Sequence, residues 1–115
     1  MTINIAREFS NLPGPRYKNE GPHSGEGFRE SLLQPRFEEA RRLAAKLNIE
    51  LDGAKFGYPS SFLEESFGGL ARIFGIDSVL ETLTFESSEE PLLADEIKGY
   101  IVDALKTSRQ RAGVQ

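Results

Sequence analysis

Ser60 and Ser61 follow a Gly57-Tyr58-Pro59 turn and stand at the head of a stretch with helical apolar spacing. A hydroxyl at a helix N-terminus is a favourable phosphate acceptor. The added charge of about −1.5 to −2 meets the positive helix end and its free backbone donors. The plainer reading of such serines is N-capping, worth about 1 kcal/mol, with Glu64 placed for a capping box from Ser61. A second grouping, Arg16, Lys18, His23 and Ser24, lies in a glycine- and proline-rich stretch just before a helix start. Glycines there expose backbone donors, and the basic groups could complete an anion site. The spacing matches no phosphate-binding loop, and the plain alternative is an ordered loop shaping the sheet edge. His23 is the only histidine and there is no cysteine, so no transition-metal site is expected. No nucleophile–base pair stands out. Glu64 and Glu65 are adjacent on a helix, point in neighbouring directions and make no obvious carboxylate dyad. The chain therefore reads as non-catalytic, with no cofactor.

The helix 61–74 carries the most information. At about 100° per residue, Leu63, Phe67, Leu70 and Phe74 form a core stripe, and Glu64, Glu65, Gly68, Gly69 and Arg72 fall opposite. Each glycine inside a helix costs up to about 1 kcal/mol relative to alanine. Two in succession on an outward face point to close approach by something else. That is a partner protein, a second copy of the chain, or another helix of the same domain. With Tyr58, these residues form an expected interaction surface within the segment Phe56–Phe74.

These groups must be positioned by a single domain, since 115 residues are too few for two ordinary ones. The absence of cysteine suggests a reducing, cytoplasmic compartment. Residues 1–20 contain no signal-peptide-like apolar run, and no segment approaches the roughly 20 apolar residues of a membrane span. A formal charge of −4 argues against a general nucleic-acid binder.

Alternation predicts strands at Thr2–Ala6, Leu47–Asp52 and Leu80–Glu86, the last with Leu83 and Phe85 inward. Phe9–Gly27 reads as a long loop, and Ser24 as the N-cap of the following helix. Pro35 should kink or restart that helix. Ser88 is expected to cap a last helix, with Glu89 and Glu90 in its first turn and Lys106 and Arg109 at its C-terminal dipole. Residues 110–115 are expected to fray, leaving residues 1–109 as the domain. The element order predicts an α/β fold with a three- or four-stranded mixed sheet covered by helices.

Two blocks carry a family resemblance. One runs from Pro13-Gly14-Pro15-Arg16-Tyr17 through Gly21-Pro22-His23-Ser24-Gly25-Glu26-Gly27-Phe28-Arg29-Glu30. The other runs from Leu51-Asp52-Gly53 through Gly57-Tyr58-Pro59-Ser60-Ser61-Phe62-Leu63-Glu64-Glu65-Ser66-Phe67-Gly68-Gly69-Leu70. Together they resemble the bacterial STAS-like domain family of unknown function, a relative of the sulfate-transporter and anti-sigma-factor-antagonist (STAS) domains. In those antagonists a serine at the corresponding helix start is phosphorylated by a partner kinase of the histidine-kinase-like ATPase fold. The resemblance thus implies a regulatory protein-interaction domain with Ser60 or Ser61 as phosphoacceptor. Pro59 stands where the antagonists usually carry aspartate, and the Pro13–Gly27 loop has no obvious counterpart in them. The alternative function is a nucleotide or small-anion sensor using that loop.

Overall fold

A computed structural model describes residues 1–106 of the protein. The first strand, β1 (Thr2–Asn4), is shorter than the alternation suggests. Asn4 ends it by capping α1 (Ile5–Glu8), its side-chain oxygen accepting from Arg7 N at 2.9 Å. After the long loop, residues 25–42 stay helical as α2 (Gly25–Phe28), a π turn (Arg29–Leu33) and α3 (Gln34–Arg42). Ser24 caps this run as expected, accepting from Gly27 N at 2.9 Å. Pro35 lies in the first turn of α3, where a missing donor is tolerated, so the proline marks a restart through the π turn.

After β2 (Leu47–Glu50), a central helix spans residues 60–74 as α4 (Ser60–Leu63), a second π turn (Glu64–Gly68) and α5 (Gly69–Phe74). Gly75, at φ 96°, turns the chain into α6 (Ile76–Thr82). That helix occupies part of the segment expected as strand, so β3 is confined to Leu83–Glu86. The last helix, α7 (Leu93–Val102), starts later than Ser88. The amides of Ser88 and Glu89 instead donate to the Asp52 carboxylate, which holds this stretch as a loop. Arg109 and residues 110–115 lie outside the described residues.

The sheet has the order β1-β2-β3 and both pairings are parallel, with Ile3 opposite Ile49 and Ile49 opposite Phe85. The expected mixed sheet is therefore corrected to a parallel one, each connection crossing back through helices. Parallel sheets are usually covered on both faces and read as unbroken apolar runs. Here Ile3, Leu47, Ile49 and Leu83 are buried beneath helices. The alternate positions form a polar outer face, on which Thr84 donates to Asn48 at 2.8 Å, Asn48 to Glu86 at 2.9 Å and Asn4 to Glu50 at 3.0 Å.

The central helix is the hub of the core. Residues 62–70 are all buried, with α2, the first π turn and α7 packed around them. Phe62 stacks on Phe28 at 5.8 Å between centroids, and Phe67 meets Phe85 edge-on at 5.6 Å.

Candidate functional site

Because the strands are parallel, the chain leaves all three at one edge of the sheet. Crevices at the carboxyl ends of strands are where open α/β sheets place ligands. The exit loops are fastened together there. Lys55 N donates to Asn11 O at 2.8 Å, and Gly53 N to Glu89 Oε1 at 2.9 Å. The amides of Glu89 and Ser88 hold the Asp52 carboxyl below its usual pKa. Tyr58 is a strut in this assembly: its hydroxyl donates to Leu51 O at 2.8 Å, and burial pushes its pKa up, helped by nearby Asp52, Glu89 and Glu90. It is half-buried and packs on Phe62, with part of its surface still open at this edge. The most exposed apolar residues at this edge are Phe56, 86% accessible, and Leu92, 78% accessible.

The central helix begins at Ser60 directly after Pro59, where the turn predicts it. Neither serine caps it; the N-cap is Pro59, and no side chain bonds the first turn. The Ser61–Glu64 capping box is absent because Glu64 is drawn inward. Ser60 is exposed and Ser61 half-buried. Tyr100 of α7 reaches Ser60: burial raises the tyrosine pKa, and the hydrogen bond with Ser60 offsets part of that rise.

Glu64 and Glu65 belong to a buried ion cluster rather than to a surface. Arg16 pairs with Glu64 and lies 3.4 Å from Glu65. Arg72 meets Glu64 at 2.7 Å and Glu65 at 3.9 Å. Arg29 meets the Glu65 carboxylate at 3.2 Å and donates to its carbonyl at 3.3 Å. Three guanidiniums from the long loop, the first π turn and α5 thus converge on two carboxylates that are under 10% exposed. Burial alone would raise the Glu64 pKa, but hydrogen bonds from Arg72 and Arg16 reverse this and leave it below the usual value.

This corrects the expected interaction surface of Glu64, Glu65, Gly68, Gly69 and Arg72. Gly68 and Gly69 are buried. A Cβ on Gly68 would stand 2.6 Å from Glu64 Oε2 and 3.3 Å from Tyr100 O, and one on Gly69 would stand 2.8 Å from Arg29 Nε. The close approach that glycine permits here is made by the domain's own charges and by α7. The helix is enclosed on every side, so paired carboxylates occupy positions that a helical wheel assigns to solvent.

The grouping of Arg16, Lys18, His23 and Ser24 is split. Arg16 turns inward to Glu64, while Lys18 pairs with Glu30 on the outside. His23, at φ 59°, sets its ring edge-on to Phe9 at 6.0 Å. Lys18, His23 and Ser24 line an open pocket of about 500 Å³. The helix amides behind it are already taken. Gly25 N donates to Pro15 O, Glu26 N to Arg16 O, Gly27 N to Ser24 Oγ and Phe28 N to Ser24 O, each at 2.9 Å. The loop caps the helix itself and leaves no amide at that end for an anion. Ser24→Ala should cost about 1 kcal/mol in a thermal or urea melt; an unchanged melt would show that the backbone contacts suffice. The loop packs at the Ser60 end as expected, with Gly25 against Phe62.

A family model described as a STAS-like domain of unknown function (DUF4325) matches residues 24–93. The chain belongs to this family. The match opens at the capping Ser24 of the STAS-like domain and closes at Leu93, so it contains Arg29, both cluster carboxylates, Arg72, the whole Phe56–Ser61 turn and Leu92. β1 and the loop residues up to His23, including Arg16, lie outside it. No curated protein and no solved structure matches the chain. Among its described residues, no helix is long and apolar enough to cross a membrane, and no group of three or more His, Cys, Asp or Glu could hold a metal ion.

Sequence reasoning about this STAS-like domain did not single out Arg29 or Leu92, and took in Phe56 only as the first residue of the segment Phe56–Phe74. Arg29 carries no local signal, because its partner is 36 residues away. Phe56 and Leu92 did carry one: each is a large apolar residue in a turn-rich segment with no periodic partner.

Proposed function

We propose that this STAS-like domain is a non-catalytic, cytoplasmic regulatory module that binds another protein through the carboxyl edge of its sheet. In this reading Ser60, with Ser61 beside it, is the phosphoacceptor for a partner of the histidine-kinase-like ATPase fold. The observation that carries the reading is the exposure of Phe56 and Leu92 on loops fastened to one another. Exposed apolar side chains gathered on one face mark interaction sites, whereas ones scattered singly do not. Ser60 supports the switch: it is exposed, has no capping duty, and follows the Pro59 that lines one hollow with Phe56. A small-anion sensor at the Lys18–His23 pocket is the second reading. It is favoured by the pocket's volume and opposed by the occupied helix amides.

The test is to incubate the purified domain with ATP and an ATPase of that fold encoded in the same genome. Intact-mass analysis should show one added phosphate, absent from the Ser60→Ala/Ser61→Ala variant, with phosphorylation changing the affinity of the complex. Labelling that persists in the double variant places the acceptor elsewhere. Failure of every such ATPase to bind either form removes the kinase-partner reading.

A further inference from the structure

Residues 86–96 hold five carboxylates, Glu86, Glu89, Glu90, Asp95 and Glu96, all exposed. Elsewhere Glu8, Glu30, Glu39, Glu64, Glu65 and Glu81 each face an arginine or lysine. Among the described residues, none of the five is in an ion pair of this kind. Five exposed carboxylates outside any such pair thus follow one another along the stretch that carries the exposed Leu92.

The surface between them is continuous. A hollow of about 260 Å³ is lined by Leu12, Phe56 and Pro59, and one of about 300 Å³ by Glu90, Leu92 and Glu96. A narrow cleft lined by Gly57, Tyr58, Glu90 and Leu93 joins them, sharing residues with each. Glu90 reaches across: its Oε1 lies 3.3 Å from where a Cβ on Gly57 would stand. Apart from Lys55, the 51–59 and 87–92 stretches carry no cation.

We propose that this furrow binds a basic segment of another protein, with an apolar side chain at Phe56 and another at Leu92 and cations laid along Glu89, Glu90 and Glu96. The inference rests on the protein-interaction reading and names the chemistry of the partner. Charge decides among occupants. A second copy would bring the same carboxylates against themselves, and nucleic acid or an anionic bilayer would be repelled, whereas a basic segment is steered in. The fastened loops present the face already ordered, so little conformational entropy is lost on binding.

The test uses an amphipathic Leu/Lys peptide and a Leu/Glu peptide of the same spacing, each titrated into the ¹⁵N-labelled domain. The Leu/Lys peptide should bind in a salt-sensitive way, with amide shifts concentrated at residues 55–58 and 89–96. Binding should weaken about tenfold or more in Phe56→Ser/Leu92→Ser and in Glu90→Lys/Glu96→Lys, both melting close to wild type. Equal binding of the Leu/Glu peptide, shifts centred elsewhere, or undiminished binding by the charge-reversed variant overturns the inference. If the peptide misses the furrow while an ATPase complex forms, the partner's basic chemistry is wrong and the interaction reading stands. If the peptide binds there but no ATPase does, the furrow stands and the kinase partner falls.

Discussion

Replacing Glu64 with alanine should destabilise the domain by about 3 kcal/mol and lower its melting temperature by about 10 °C. The carboxylate is almost fully enclosed and serves two guanidiniums, Arg72 at 2.7 Å and Arg16 from the long loop. Removing it leaves both cations beside Glu65 alone, with little water to compensate. Unpaired charge in an enclosed site, rather than the loss of one contact, dominates the cost. A second variant separates these terms: adding Arg72→Met to Glu64→Ala should recover much of the loss, because apolar replacement of a buried pair is often neutral or better. The pH dependence has a definite sign. The folded-state pKa of Glu64 is below its unfolded value, near 4.5. Its contribution is therefore complete above that value and is lost as pH falls through the lower, folded one. Between pH 7 and strongly acid solution, Glu64→Ala should show a flatter stability profile than wild type below about pH 4.5. Melts that coincide at every pH would mean that the cluster contributes nothing to the fold.

Gly25→Ala should be nearly as damaging, at about 3 kcal/mol. Gly25 sits where the first long helix crosses the central helix. A Cβ there would lie 2.5 Å from Phe62 O and 3.0 Å from Phe62 Cα. Both neighbours are backbone, so no side-chain rotation relieves the overlap, and the two helices must move apart. That movement would also disturb the stacking of Phe28 on Phe62. Gly99→Ala is the matching control, since a Cβ there meets nothing within 4 Å in the middle of α7. It should raise stability by about 0.4–1 kcal/mol through a less flexible unfolded chain. Urea melts of the two variants should move in opposite directions. A wild-type melt for Gly25→Ala would contradict the crossing described here.

The α/β class, the three strand sites, the Ser24 cap and the helix start at Ser60 were legible because each depends on neighbours within a few residues. Strand direction was not: Ile3, Ile49 and Phe85 alternate with polar residues, a pattern of half-exposed sheets of any direction. The interaction surface failed for a different reason. A helical wheel assigns charge to solvent, and nothing local to Glu64 and Glu65 announces that Arg16 and Arg29 arrive from 48 and 36 residues away. Gly68 and Gly69 did signal close approach, and of the alternatives their spacing left open it is the domain's own elements that make it. The furrow was split between two loops that looked unrelated until Asp52 and Glu89 joined them.

The parallel order of the sheet also sets a timetable for a chain emerging from the ribosome. Ile3 pairs with Ile49 and cannot do so until about 46 further residues have been made, or roughly two to nine seconds at ordinary rates. Shelter comes later still, when Phe62, Leu63, Phe67 and Leu70 arrive to cover the apolar face. In that interval the nascent segment is guarded by Thr2, Asn4, Arg7 and Glu8, polar residues interleaved with Ile3 and Ile5 that interrupt any adhesive run. The hydrophilic outer face of the finished sheet thus also protects the unfinished chain, by making its first strand a poor template for others like it.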